Sequence, residues 1–440
     1  MTENSKDVWY PNEASEWNVV SIKSLFSFKK GLSITKADLQ EEGAPTISYG
    51  QIHAKYNTGV HVTEDLIRYV NTDYYETNSQ SLAYKNDFLF ADTSEDLDGC
   101  GNNVLIDTEN PVLGGYHTIV LSSKDNESHK YLAYLFKTDA WRSQIRKQLT
   151  EVKLYSISQK CLKQTKILLP PDVIQAQIVA YLDDKCSKID EAITKHRTLI
   201  EKLKEYRKAV ITKAVTKGLD PDVEMKDSNQ LWIGEIPEHW RVIRNKFLLI
   251  GSYSGGTPKA SNPLFYSDEG LPFISIADMS TVDYVYTTEK CVTEAGIDDK
   301  NLKVVPSGSV IYSMYATVGK VAETKIDATI SQAIIALYIK NSFDKNYYKY
   351  NLQALKEYIL SSADGTTQMN LNAQKVYEMY IVEPPLNEQQ LIASYLDEKC
   401  AKIDEAIARH ESLITKLEEY KKSIIYNAVT GKIDCRKDAE

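Results

Sequence analysis

Apolar and polar positions follow two different rhythms along this chain. In one stretch the seam of a helix can be traced through Leu182, Cys186, Ile189, Ile193, His196, Ile200, Leu203, Arg207, Val210 and Ala214, with Lys and Glu between. The same steps recur through Leu396, Cys400, Ile403, Ile407, His410, Ile414, Leu417, Lys421, Ile424 and Ala428. Spacings of four and three sustained over about four heptads predict a coiled-coil seam. The two stretches are copies of one another. "YLDDKCSKIDEAI" at Tyr181–Ile193 returns as "YLDEKCAKIDEAI" at Tyr395–Ile407, and Pro170–Asp220 lies on Pro384–Asp434 without a gap. Proline pairs stand before each copy, where the first helical turn tolerates them. Gly218 and Gly431 follow each copy, where a left-handed cap is expected. A helix of about 40 residues spans roughly 60 Å.

Between these stretches the rhythm changes to short runs rich in Tyr, Thr, Ser, Val and Ile. Asp87–Thr93, Leu271–Met279, Ser309–Thr317 and Ala333–Ile339 predict strands, and Lys130–Gln148 and Tyr347–Ser361 predict shorter helices. The two mixed regions are weakly alike: "PTISYGQI" answers "PFISIADM", and "KNDFLFA" answers "SGSVIYS". The expected fold class is therefore α+β, with two globular domains and two long helices in a pseudo-two-fold internal repeat. The boundaries read as residues 1–168 for the first globular domain and 169–220 for the first helix. They continue as 221–382 for the second domain, 383–434 for the second helix and 435–440 for a tail.

Connectivity decides how the helices pair. The second globular domain leaves the end of the first helix and enters the start of the second. Parallel helices would force it to bridge about 60 Å between its own ends, whereas antiparallel helices bring those ends side by side, as domain termini usually lie. An antiparallel coiled coil is expected, with Leu182, Ile189, Ile193, His196, Ile200 and Leu203 facing Leu396, Ile403, Ile407, His410, Ile414 and Leu417.

Composition narrows this picture only a little. The chain has 440 residues, 42% hydrophobic and 26% charged, which suits several cores in water. No apolar run approaches the ~20 residues that span a bilayer, and the polar start lacks a secretory apolar segment. The six cysteines show no metal-ligand spacing, which fits reduced thiols and a cytoplasmic location. A net charge of −9 argues mildly against nonspecific nucleic-acid binding, but a local basic surface can still hold phosphates.

Catalytic signatures are missing. "ATVGKV" ends in valine where a P-loop needs a hydroxyl for magnesium. No glycine-rich dinucleotide fingerprint follows a strand, and the tetrapeptide of amino-methyltransferases is absent. "EVK" at Glu151–Lys153 meets only the short end of a nuclease pattern. His196 and His410 sit at equivalent seam positions and read as structural. No catalytic and no metal-binding residue is assigned. What remains distinctive is "GSYSGGTPKASNPLFYSDEGLPFISIADMS" at Gly251–Ser280, with "SMYATVGKVAET", "ATISQAIIAL" and "GTTQMNLNAQKV" after it. Polar and aromatic side chains on loops beside a small sheet suit base edges and phosphates.

Taken together, these blocks resemble the specificity subunit of a Type I restriction-modification enzyme. "PPLNEQQLIASYLDEKCAKIDEAI", "YKKSIIYNAVTGKID", "DSNQLWIGEIPEHW" and the Gly-Gly-Thr-Pro segment carry the resemblance, which covers nearly the whole chain. The first copy departs from it: Ile174 stands where Glu388 stands in the second, and "FSFKKGLSITKA" replaces the Gly-Gly-Thr-Pro turn. The resemblance implies two target recognition domains, each reading one half of an asymmetric bipartite DNA site. The helices would set the spacing and dock two copies of an adenine methyltransferase subunit. A motor-nuclease restriction subunit would join them. No cofactor is expected on this chain, and S-adenosylmethionine would be held by the methyltransferase. The protein itself would be no enzyme. The alternative is a coiled-coil scaffold without sequence-specific DNA binding. Candidate DNA contacts in the first domain are Lys29, Lys30, Tyr49, Gln51, His53, Lys55 and Lys153. In the second they are Thr257, Lys259, Tyr266, Asp278, Tyr315, Thr317, Lys320, Thr366 and Gln368.

Overall fold

The computed structural model describes residues 17–125, 129–149, 154–315, 317–361 and 371–435. Candidates Lys153, Thr366 and Gln368 lie outside the described residues, as does the Glu151–Lys153 tripeptide. The chain divides into two compact units, Met1–His196 with Ser412–Glu440, and Arg197–Glu411.

The long helices run Asp172–Lys217 and Leu386–Val429, and neither contains glycine or proline to interrupt it. Their ends are built alike. Gln175 Nε2 donates to the Pro170 carbonyl at 2.9 Å, and Gln389 Nε2 donates to the Pro384 carbonyl at 2.8 Å. Gly218 and Gly431 follow with φ of 76° and 73°, in the left-handed region that a β-carbon disfavours. In the first unit the early half of one helix packs on the late half of the other: Ile178, Leu182, Cys186, Ile189 and Ile193 share a core with Ile424, Ile425, Ala428 and Val429. In the second unit Ile211, Ala214 and Val215 share a core with Ile392, Ala393, Leu396 and Cys400. The helices are thus antiparallel, as connectivity predicts. Of the seam positions, Leu182, Ile189, Ile193, Ile200, Leu396 and Ile403 are buried, and His196, Leu203, Ile407, His410, Ile414 and Leu417 are half-buried. Each fully buried Leu or Ile contributes about 1.5–3 kcal/mol.

The two globular domains share the strand order of their larger sheet. The first has a four-stranded antiparallel sheet in the order Phe26–Lys30, Thr118–Ser123, Phe88–Ala91 and Asn103–Leu105. The second repeats it as Leu249–Ser254, Ile334–Ile339, Val310–Ser313 and Val321–Thr324, adding Tyr284–Val285 at the far edge. A smaller sheet in each contains one parallel pair: Ala44–Ile47 beside Val112–Gly114, and Leu271–Ile274 beside Thr329–Ile330. The ends of each domain close as an antiparallel ribbon leading into a long helix. These ribbons are Asn18–Ser21 with Lys166–Leu169, and Arg241–Arg244 with Tyr380–Glu383.

The predicted strands Asp87–Thr93 and Ser309–Thr317 shorten to Phe88–Ala91 and Val310–Ser313, and two further elements break within their apolar runs. Leu271–Met279 is a strand only to Ile274, because Ser275 and Asp278 form a reciprocal capping box that starts a helical turn at Ile276. Lys130–Gln148 is two helices, Lys130–Phe136 and Asp139–Arg146; the hydroxyl of Thr138 accepts from Trp141 N and starts the second.

Each domain is fastened to the long helices by a pair of tyrosines one turn apart. Tyr131 Oη donates to the Val429 carbonyl at 3.0 Å, and Tyr134 Oη donates to Asp183 Oδ1 at 2.7 Å. In the second unit Tyr347 Oη donates to the Val215 carbonyl at 3.1 Å, and Tyr350 Oη donates to Asp397 Oδ1 at 2.7 Å. Burial, followed by the Asp183 carboxylate, pushes the Tyr134 phenol far up, and burial with Asp397 does the same to Tyr350, so both remain donors.

Candidate nucleic-acid interface

Both domains hold the same loop junction in place by the same main-chain hydrogen bonds. In the first, Gly31 N donates to Thr118 O at 3.0 Å, Leu32 N to Gly114 O at 2.7 Å, and Gly115 N to Ile47 O at 2.8 Å. In the second, Gly255 N donates to Ile334 O at 3.2 Å, Gly256 N to Ile330 O at 3.2 Å, and Ser331 N to Ile274 O at 2.9 Å. The chain passes so close here that a β-carbon on Gly31 would lie 2.1 Å from Thr118 Oγ1, and one on Gly255 would lie 1.9 Å from Ile330 O. Gly31 is therefore the first domain's counterpart of the Gly-Gly-Thr-Pro glycine, although the neighbouring sequence differs.

A capping box follows the parallel strand in each domain. Ser48 N donates to Gln51 Oε1 at 3.2 Å, and Ser275 N and Oγ donate to Asp278 Oδ2 at 2.8 and 2.6 Å. Asp278 Oδ1 also accepts from Glu289 N at 2.8 Å. His53 has both ring nitrogens engaged, Nε2 with Thr93 O at 2.8 Å and Nδ1 with Asn102 Nδ2 at 3.0 Å. Tyr266 Oη donates to Pro258 O at 2.7 Å, Thr257 Oγ1 accepts from Gln332 N at 3.2 Å, and Lys320 Nζ pairs with Asp283 Oδ1 at 2.7 Å. Gln51, His53, Thr257, Tyr266, Asp278 and Lys320 thus hold the loops in shape with their own polar atoms. Lys30, Lys55, Lys259, Tyr315 and Thr317 are exposed, and Lys29 is half-buried on its strand.

Three first-domain candidates, Lys30, Tyr49 and His53, gather around two residues that carry no sequence motif, Tyr116 and His117. Tyr49 N donates to Tyr116 O at 3.2 Å, and the Tyr49 ring meets those of Tyr116, His117 and His53 edge-on at 5.5, 5.3 and 6.2 Å. His117 has φ of 55° and its side chain is 58% exposed. Beside it a cleft of about 570 Å³ is lined by Lys30, Ser156 and Lys160, with the two lysines exposed. The only sequence signal at Tyr116-His117 is a Gly-Gly pair before a β-run, which marks a turn and not the side chains it displays.

The DNA specificity domain of Type I restriction-modification systems matches this chain twice, over residues 14–205 and 237–419. The chain belongs to this family. The two matches coincide with the two globular domains and most of the helix that follows each. Among its relatives is the putative type I restriction enzyme MjaX specificity subunit of Methanocaldococcus jannaschii, 29% identical over 73% of this chain and 72% of that one. The MjaVIII specificity subunit of the same organism is 23% identical over 98% of this chain and 96% of its own length. A chain from a solved structure on complex assembly and conformational transition of the type I R-M system shares the fold. It has a TM-score of 0.69 and 18% identity, covering 95% of this chain and 98% of that chain. No helix among the described residues is long and apolar enough to cross a membrane. Within this family architecture, the paired junctions at Gly31 and Gly255 are the same structural feature occurring once in each specificity domain.

Proposed function

We propose that this chain is the sequence-recognition subunit of a Type I restriction-modification complex, and that each specificity domain reads one half of a bipartite DNA site. The observation that carries the reading is the pairing of identical backbone frames with unlike loop side chains. The frame bonds at Gly31 and Gly255 correspond one for one, while the side chains displayed around them differ. Such an arrangement suits two half-sites of different sequence presented to one kind of enzyme. The repeated helices would hold the halves at a set spacing and offer two similar docking places to methyltransferase subunits, with a restriction subunit joining them. S-adenosylmethionine and the flipping of the target adenine would belong to the methyltransferase. Lys29, Lys30, Lys55, Lys153 and Lys259 are suited to backbone phosphates, which fix register. Tyr315 and Thr317 are suited to contacts from their exposed positions, and Thr366 and Gln368 carry side chains of the hydrogen-bonding kind that base edges need.

The test is methylation mapping in cells that carry this gene with its methyltransferase gene. A bipartite motif with one methylated adenine in each half is expected. With an active partner present, absence of any such motif would refute the reading and favour a scaffold role.

A further inference from the structure

Between the parallel strand and the central antiparallel strand, each domain has a connector of three residues. In the first it is Gly115-Tyr116-His117, between Val112–Gly114 and Thr118–Ser123. In the second it is Ser331-Gln332-Ala333, between Thr329–Ile330 and Ile334–Ile339. The lengths are equal, and the main-chain bonds at Gly31, Leu32 and Gly115 fix the first as those at Gly255, Gly256 and Ser331 fix the second. The frame is common and the displayed chemistry is not: an aromatic and an imidazole in one domain, an exposed amide in the other.

We infer that these connectors are base-reading elements, with His117 reading one half-site and Gln332 the other. The inference rests on the proposed DNA-recognition function and names residues within it. His117 is exposed, yet it occupies a backbone region that residues with a β-carbon avoid, and such outliers concentrate where function needs a side chain aimed. Its aim is set from below. Asp92 Oδ1 lies 3.2 Å from Nδ1 and Asp92 N donates to the His117 carbonyl at 3.0 Å, while Thr93 Oγ1, which donates to Asp92 Oδ1 at 2.7 Å, lies 3.5 Å from the same Nδ1. In the neutral tautomer whose Nδ1–H donates to Asp92, Nε2 presents a lone pair. Among the described residues no hydrogen bond to Nε2 is seen. An acceptor held at the end of a rigid connector suits the exocyclic amine of cytosine or adenine in the major groove. The Gln332 amide sets a donor nitrogen beside an acceptor oxygen, and its main-chain N is tied to Thr257 Oγ1. That side chain suits a bidentate contact to adenine N6 and N7.

The experiment maps methylation by the complete complex of this chain with its methyltransferase. It uses wild type, His117→Gly, His117→Asn and Gln332→Ala. Glycine and asparagine both tolerate the left-handed backbone at position 117, so one variant covers a folding failure of the other. Wild type is expected to give a bipartite motif. Each His117 variant should relax one position of one half by roughly tenfold in preference, leaving the other half intact. Gln332→Ala should relax one adenine of the other half. Folded, assembled variants that methylate the unaltered wild-type motif would overturn the inference while leaving the recognition function standing. Wild type without any bipartite motif would overturn both. A folded complex that binds DNA but has lost preference throughout the affected half would overturn base reading by that residue, since a reader relaxes one position only.

Discussion

The Lys421 ammonium sits 2.6 Å from both carboxylate oxygens of Asp190, across the seam between the long helices. Asp404 is the repeat copy of Asp190 and Arg207 is the copy of Lys421, and these two also pair, at 3.1 Å. One charge relationship is therefore written twice, once in each unit. It shows why Arg207 and Lys421 occupy seam positions that apolar residues would otherwise hold. Arg207 carries more than its copy does, since its guanidinium also reaches Asp283 at 3.5 Å. Asp283 in turn holds Lys320, just before the Val321–Thr324 strand.

The Asp190–Lys421 pair lends itself to a double-mutant cycle. Asp190 is half exposed, so solvent screening limits the coupling to about 0.5–1 kcal/mol. Urea unfolding of Asp190→Ala, Lys421→Ala and the double variant should return that coupling. A value of zero would mean the helices gain nothing from their crossed charges.

The tyrosine fasteners should contribute more, because their hydroxyls are buried and leave carbonyls behind. Tyr131→Phe removes the donor to Val429 O, and a loss of about 1–2 kcal/mol is expected in equilibrium unfolding. Tyr347→Phe should cost at least as much, since its hydroxyl lies 3.1 Å from both Val215 O and Val382 O. Unchanged stability in both variants would show that packing alone seats each domain.

Much of this architecture was readable from periodicity. The seam, the proline-led starts and the glycine caps are local properties of the repeated segment, and its two copies reinforce each other. The antiparallel sense followed from chain connectivity. The candidate site was less readable, because hydrogen bonding decides which polar residues remain available to a ligand. Gln51, Asp278 and His53 all suit DNA contacts in sequence; in the fold Gln51 and Asp278 close capping boxes, and the His53 ring engages Thr93 O and Asn102 Nδ2. His117 shows no motif, since its prominence comes from a backbone angle that only the folded chain displays.

Close approach at the loop junction predicts a sharp penalty for one methyl group. Gly255→Ala would set a β-carbon 1.9 Å from the Ile330 carbonyl oxygen, and that neighbour is backbone and cannot swing aside. A loss of about 1–3 kcal/mol is expected, together with weakened recognition of the half-site read by the second domain alone. Unfolding measurements and methylation mapping on the same variant check both parts. Wild-type behaviour in each would show that the junction yields more readily than its bonds suggest.

Glu323 supplies a pH-dependent test of the second domain. Its side chain is 3% exposed and meets Lys325, Lys345 and Lys349 at 2.6, 2.9 and 2.8 Å, while Tyr284 lies under Lys325 and Lys349. Burial alone would raise the carboxyl's pKa, but the three ammonium groups outweigh it and hold it down at about 2. A depressed carboxylate stabilises the fold fully above its ordinary value of 4.5, and that contribution is lost as pH falls toward 2. Glu323→Gln leaves the nearly buried Lys349 without its counter-charge, and a loss of about 3 kcal/mol is expected near neutrality. Between pH 6 and pH 3.5 the wild type should lose about 1.4 kcal/mol of its advantage over the variant. A gap that stays constant across this range would show that Glu323 titrates normally and that the lysines do not hold its proton off.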